Sequence, residues 1–357
     1  MNYKKKFSDF KNLKVLITGS TGFKGAWLAY WLKMLGAKVV GVGFKPEKDS
    51  VLFTKLGLNK SIKQYFFDIS KFSKLNSIIK EEKPDLIFHL AAQSIVSLSY
   101  TNPLATFNSN ITGSANILES FRQSKAQGLI FITSDKCYLN LDKNTTFREN
   151  DMLGGTDNYS SSKACAENIF FSYLKSYFGK DNYLKLVSAR AGNVIGGGDF
   201  KKDRIIPDII RSISTNKKLI IRNPNATRPW QHVLEPLSGY LLLAHKILNK
   251  KINAKISPNW NFGPYKKNCK SVIYIVKKIQ NYLKTKNIFK IVKNEKFHEP
   301  KLLSLNINKA KNELQWKPKL SLDQTLKLTA NWYNLLDKNF DMKHLTEDQI
   351  NFYSEKK

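Results

Sequence analysis

Short apolar runs rich in Val, Ile, Leu and Phe alternate with helical stretches through the first 190 residues of this 357-residue chain. The runs lie near residues 13–18, 37–43, 63–67, 85–90, 129–134 and 184–190. Continuous apolar runs such as Leu86 to Leu90 suit strands buried on both faces. Their alternation with helices predicts a parallel sheet covered on both sides, an α/β, doubly wound architecture. Beyond residue 190 the pattern loosens. Gly196-Gly197-Gly198 reads as a flexible crossing into a second, smaller domain, and residues 341–357 read as a polar tail.

The N-terminal pattern carries the first chemical signal. LKVLIT (13–18) runs into Gly19-Ser20-Thr21-Gly22-Phe23-Lys24-Gly25 and then an apolar helix, Ala26 to Leu35. Strand, glycine turn and helix in this order set backbone N–H groups and a helix N-terminus against a diphosphate. Gly19 suits the tight turn, Gly22 a close backbone approach, and Gly25 close helix–strand packing. The spacing is G-x-x-G-x-x-G, a variant of the general dinucleotide fingerprint. Ligands of such sheets bind at the carboxyl ends of the strands. Ala91-Ala92-Gln93, Thr133-Ser134-Asp135-Lys136 and Asp68 all fall at those ends. Asp68 reads equally well as the N-cap of the next helix. The second strand ends in Phe44-Lys45-Pro46, without the acidic residue expected on an NAD ribose, so Lys45 leaves a 2′-phosphate open.

Tyr159 and Lys163 lie four apart in a helical stretch, NYSSSKACAENIFFSYL, and so share one face. A phenol with a pKa of about 10 is a poor base at neutral pH, and a neighbouring ammonium favours its phenolate. Ser134-Asp135-Lys136 precedes the tyrosine by about one helix–strand unit, offering a hydroxyl, an acid and an amine. His89 and His232 read as structural histidines.

Composition narrows the remaining classes. A hydrophobic content of 42% can fill a large core and two domains. No apolar run reaches the roughly 20 residues of a membrane helix, and MNYKKKFSDFKN leads into no signal-peptide core. Cys137, Cys165 and Cys269 have neither metal-ligand nor disulfide spacing, which fits a reducing compartment. A cytoplasmic protein without a metal is expected. The net charge of +31 is spread along the chain as lysine, without a nucleic-acid-binding motif. It predicts attraction of an anionic substrate and only nonspecific polyanion binding. All seven arginines lie between 122 and 228, and Arg204, Arg222 and Arg228 suit two-pronged contact with phosphate.

Taken together, TGSTGFKG (18–25), FHLAAQ (88–93), TSDK (133–136), YSSSK (159–163) and RAGNVIGGGDF (190–200) resemble the extended short-chain dehydrogenase/reductase superfamily, in its NAD-dependent epimerase/dehydratase family. The resemblance covers roughly residues 13–335. GFKGAWLAYWL (22–32), SDKCYLN (134–140), RENDMLGG (148–155), RAGNVIGGGDFKKDRIIPDII (190–210), RNPNATRPWQHVLEPL (222–237) and FHEPKLLSLNINKAKNELQWKP (297–318) are most similar to the CDP-glucose 4,6-dehydratases.

That resemblance implies a Rossmann domain over 1–190 with a return segment at about 231–262. A smaller C-terminal substrate-binding domain would comprise 191–230 and 263–340. It implies NAD held by Gly19, Thr21, Gly22, Phe23, Gly25, Asp68, Ile69, Leu90, Ala91, Ala92, Tyr159 and Lys163. The nucleotide sugar would meet Asn193, Arg204 and Arg228, with Glu149 and His298 as further candidates. The implied reaction converts CDP-glucose to its 4-keto-6-deoxy product for deoxysugar and surface-polysaccharide synthesis, with internally recycled NAD. Tyr159 acts as base and Ser134 orients the sugar, while Asp135 serves as acid and Lys136 as base for elimination. Related dehydratases acting on dTDP-glucose carry Asp-Glu where this chain has Asp135-Lys136. A 4-epimerase, or a dehydratase for another nucleotide-glucose, is the alternative, with a non-catalytic dinucleotide sensor more remote. A homodimer or homotetramer would pair through the Tyr159 helix, where Ile169-Phe170-Phe171 offers either apolar surface or core.

Overall fold

The computed structural model of the chain describes residues 3–46, 51–141, 146–285, 289–292, 303–336, 338 and 340–356. Its main sheet comprises β1 (Lys14–Thr18), β2 (Lys38–Gly43), β3 (Lys63–Phe66), β4 (Leu86–His89), β5 (Gly128–Ile132), β6 (Leu186–Arg190) and β7 (Asn259–Asn261). All neighbours are parallel, in the order β3-β2-β1-β4-β5-β6-β7. Val15, Leu16 and Ile17 of β1 and Leu86, Ile87 and Phe88 of β4 are wholly buried, as the unbroken apolar runs require. The seventh strand escapes such a reading because its three residues, Asn-Trp-Asn, are mostly polar. It pairs Asn259 with Ser188 and Asn261 with Arg190 at the sheet edge.

Six helices matter for the site: α1 (Phe23–Met34), α2 (Asn158–Tyr173), α3 (Ile205–Ser214), α4 (Leu234–Leu248), α5 (Leu322–Leu336) and α6 (Met342–Glu355). Helix α1 has no polar face, and every residue from Gly25 to Leu32 is buried. An all-round apolar helix needs cover on its outer side as well as from the sheet. Here α6 supplies it, with Tyr353 edge-on to Trp31 at 5.9 Å. The region read as a polar tail is therefore an amphipathic helix, with Met342, Leu345, Ile350 and Tyr353 buried.

The glycine crossing also differs from its reading. Gly197 is packed so closely that an added Cβ would stand 1.9 Å from Trp332 of α5, and its carbonyl accepts the Trp27 indole N–H at 2.9 Å. The crossing is a tight contact, small because a helix presses on it. Around it, short strands pair Val194–Ile195 with Gln231–His232 and Thr227–Pro229 with Cys269–Ser271. Helix α4 then runs back along the main sheet, where a Cβ on Gly128 of β5 would meet Ile247 at 2.6 Å.

Candidate functional site

Strand order reverses between β1 and β4, and the cleft opens at their carboxyl ends. Thr18 at the end of β1 meets the His89 ring (Nδ1) at 2.8 Å, and its hydroxyl accepts from the Ala91 N–H at 3.2 Å. His89 is buried and stacked on Phe131, and burial depresses it to about 3, as befits a structural histidine. His232 is likewise buried and depressed to about 3. Gly19 holds φ of +76°, and an added Cβ would stand 2.7 Å from the Ala91 nitrogen. Gly22 caps α1 with no side-chain acceptor, so the first N–H groups of that helix remain for an anion.

A cavity of about 580 Å³ spreads from this turn. Gly19, Thr21, Gly22, Phe23, Gly25, Asp68, Ile69, Leu90, Ala91 and Ala92 all line it, as do Phe44 and Lys45. The chain thus lines one cavity with a glycine turn and a helix N-terminus, which fits a dinucleotide. Asp68 accepts the Ser70 N–H at 2.9 Å, and the N-cap of the following helix is Lys71. Asp68 therefore closes a turn at the cavity wall and is not that helix's cap.

Ser134, Asp135, Lys136 and Tyr159 converge on the same cavity. The Ser134 hydroxyl donates to Asp135 Oδ1 at 2.9 Å. Among the described residues Asp135 Oδ2 has no hydrogen-bond partner, and it fills the space above Gly192, where a Cβ would stand only 1.7 Å away. Burial pushes the Asp135 carboxyl above its ordinary range, against the pull of Lys136, Ser134, Arg228 and Lys24. A carboxyl held above its ordinary range in this way is better suited to carry a proton and give it up.

The tyrosine differs from the expected picture. Burial pushes the Tyr159 phenol up to about 12; the Ser134 hydrogen bond and the Arg204 charge pull it down, and Asp135 and Asp157 oppose them. Lys163 Nζ stands over the phenol ring, 6.0 Å from its centre. Burial, aided by Lys24, lowers the Lys163 ammonium to about 8. In the free pocket, then, the amine does not by itself make the phenol basic, because both side chains have left water.

On the opposite wall are Asn193, in a left-handed conformation at φ of 48°, and Arg204, Arg222 and Arg228. Arg204 bonds Asp199 and Ser94, and Arg222 bonds Asp203, which in turn accepts from Ser97. This strap joins the loop after β4 to the N-terminus of α3. Glu149, in contrast, is not at the cavity. Its carboxylate accepts the Asn261 N–H of β7 at 2.9 Å, at the sheet edge. His298 lies outside the described residues. Sequence reasoning gave no role to Gly192 or Lys24, although a lysine inside a glycine turn was a visible anomaly.

The sequence model of the family described as GDP-mannose 4,6 dehydratase matches residues 16–329. A CDP-glucose 4,6-dehydratase from Salmonella typhimurium is 41% identical over 345 residues, covering 95% of this chain and 96% of that protein. Among solved structures, an epimerase from Methanothermobacter thermautotrophicus superposes with a TM-score of 0.80 at 22% identity, over 94% of this chain and 97% of that one. A dTDP-glucose 4,6-dehydratase from Bacillus anthracis, in complex with NAD, gives 0.74 at 23% identity, over 93% and 99%. The last two establish the shared fold, and the near end-to-end kinship of the first two establishes descent. The chain belongs to the GDP-mannose 4,6 dehydratase family of the extended short-chain dehydrogenases/reductases.

Proposed function

We propose that this protein is an NAD-dependent CDP-glucose 4,6-dehydratase, making a 4-keto-6-deoxy sugar nucleotide for deoxysugar and surface-polysaccharide synthesis. The observation that carries the reading is one cavity shared by Tyr159, Ser134, the buried Asp135 and Lys136. A 4-epimerase needs the first two but has no use for a carboxyl beside an amine. The 41% identity to the Salmonella enzyme supports cytosine as the nucleobase.

Gly19, Thr21, Gly22, Phe23 and Gly25 hold the cofactor diphosphate, and Asp68 and Ile69 flank the adenine. Leu90, Ala91 and Ala92 floor the path to the nicotinamide ribose, which Lys163 meets. Bound NAD supplies a reversible hydride acceptor next to the sugar. Tyr159 takes the proton of the sugar 4-hydroxyl as carbon 4 is oxidised, and the Ser134 hydroxyl orients that oxygen. With a ketone at carbon 4, Lys136 removes the acidified proton at carbon 5 and Asp135 protonates the departing 6-hydroxyl. Carbon 6 is then reduced, and no external reductant is consumed. Asn193, Arg204 and Arg228 grip the substrate nucleotide and diphosphate.

The domain division, 1–190 with 231–262 against 191–230 with 263–340, sets the sugar between cofactor and arginines. The enzyme works in the cytoplasm as a homodimer or homotetramer paired through α2, where Ile169 and Phe171 are half-buried beside wholly buried Phe170.

The test is turnover of CDP-glucose deuterated at carbon 4. Label at carbon 6 of a 4-keto-6-deoxy product is the expected result. Label retained at carbon 4 of CDP-galactose would replace this reading with epimerisation, and no turnover of any sugar nucleotide would leave a dinucleotide sensor.

A further inference from the structure

Lys24 is the residue of the cavity that neither the fold nor the steps above account for. It stands in the first turn of α1, a helix whose next eight residues are all buried and apolar or glycine. The positive end of a helix disfavours a cation in its first turn. Lys24 lines the cavity together with Arg204, and the charges of Arg204 and Lys163 both bear on it unfavourably. Burial and the Arg204 charge lower its ammonium to about 8, and Asp135 alone works the other way. The lysine-rich composition of the chain explains surface lysines but not this one, which three adverse effects oppose. Among the described residues it has no hydrogen-bond or ion-pair partner.

The same cavity holds the matching anomaly. Asp135 is 1% exposed, and its Oδ2 is without a hydrogen-bond partner among the described residues. The groups that act on Asp135 are Ser134, Lys136, Arg228 and Lys24, and it bears in turn on Cys137, Tyr159 and Tyr240. Lys136 and Arg228 are already assigned to substrate. Lys24 comes from a different element, the cofactor-binding turn.

We propose that Lys24 is a positioning residue for the elimination step, its ammonium stabilising the carboxylate that Asp135 becomes when it protonates the leaving 6-hydroxyl. The proposal rests on the dehydratase reading for the identity of that step. In the step the carbon 6–oxygen bond breaks with its electron pair on oxygen, the Asp135 proton joins that oxygen to form water, and the carboxylate remains. Charge develops on Asp135 at the moment of transfer, and a fixed cation nearby lowers its cost. The same contact would tie elimination to a correctly formed cofactor turn.

Two measurements separate this role from a structural one. In the ligand-free protein with carboxyl-labelled aspartate, carbon NMR follows the Asp135 titration, assigned by its absence in Asp135→Asn. Lys24→Met should raise that midpoint by roughly one pH unit, and Lys24→Arg should restore it. In single turnover with CDP-glucose, Lys24→Met should form reduced cofactor at the normal rate and lose water about tenfold more slowly. An unmoved Asp135 midpoint in a folded Lys24→Met protein overturns the proposal, whatever the substrate proves to be. Equal slowing of hydride transfer and water loss, with weaker cofactor binding by fluorescence, overturns it too and makes Lys24 a cofactor ligand. Failure of the wild type to eliminate water from CDP-glucose, with the NMR shift intact, sinks the dehydratase reading instead.

Discussion

Glu167 and Arg190 form an ion pair at 2.8 Å with neither side chain reaching solvent. Arg190 Nε also donates to Glu167 Oε1 at 2.9 Å, making a two-pronged contact between α2 and β6. Ser188 donates to the same oxygen at 2.6 Å, Thr133 also bonds it, and Asn259 of β7 reaches Oε2 at 3.1 Å. Burial works against ionisation of Glu167, but the guanidinium overrides it and holds the carboxyl below its ordinary range. One carboxylate thus pins the helix bearing Tyr159 and Lys163 to the strand end that leads into Ser134. Its position on α2, two turns beyond Tyr159, fixes the phenol relative to the Ser134 turn.

Glu167→Gln should therefore cost about 3–5 kcal/mol, because it strands a buried guanidinium. Urea unfolding followed by far-ultraviolet dichroism measures the loss. Glu167→Leu combined with Arg190→Met should recover only part of that stability, since the apolar pair removes the stranded charge but leaves the Ser188, Thr133 and Asn259 donors unpaired. Turnover should not recover with it, as α2 would no longer be registered on Ser134.

The sheet was legible where strands are buried on both faces. Leu86 to Leu90 and Leu13 to Thr18 have no other economical fold. The site was legible where chemistry needs a local spacing, as in the Gly19–Gly25 turn and Tyr159 with Lys163. What stayed hidden depends on partners distant in the chain. β7 is polar because Asn259 and Asn261 serve Glu167 and Phe147, and no local periodicity records that. Glu149 is a ligand candidate by resemblance alone, and its bond to the Asn261 N–H of β7 is a long-range partner that no local pattern records. Helix α6 looked polar because its apolar positions are few and spaced to cover the outer side of α1.

Lys136→Met should separate the two halves of the reaction. Tyr159 and Ser134 remain, so oxidation at carbon 4 proceeds and reduced cofactor builds up. Proton removal at carbon 5 loses its base and should slow by about 10²–10⁴-fold. Absorbance of the reduced nicotinamide in single turnover, with quenched product analysis, reads both rates. Parallel loss of the two would contradict the division of labour between Tyr159 and Lys136.

Charge should show in substrate capture and not in chemistry. A net charge of +31, with Arg204, Arg222 and Arg228 at the cavity, draws a diphosphate-linked sugar from solution. Raising ionic strength from about 0.01 to 0.15 M shortens the screening length from about 30 to 8 Å. The KM for the sugar nucleotide should rise several-fold across that range while kcat holds. Initial rates at fixed saturating NAD make the comparison.

Glu235, on α4, gives the stability of the fold a pH dependence remote from the active site. Burial raises its carboxyl to about 7, against hydrogen bonds from the Leu320 and Lys319 N–H groups and from Tyr353. The folded state thus binds this proton more tightly than the unfolded chain, where an ordinary glutamate titrates near 4.3. Stability from this group is full below the unfolded value and falls as pH rises towards 7, where the carboxyl must ionise in the core. The loss is on the order of 3 kcal/mol, since each unit of displacement corresponds to about 1.4 kcal/mol. Glu235→Gln keeps an oxygen for the two N–H donors and an amide for Tyr353, but has nothing to ionise. Urea midpoints measured between pH 5 and 8 should therefore decline for the natural protein and stay nearly level for Glu235→Gln. Equal slopes for the two would mean that the carboxyl linking α4 to Tyr353 of α6 already ionises as it does in water.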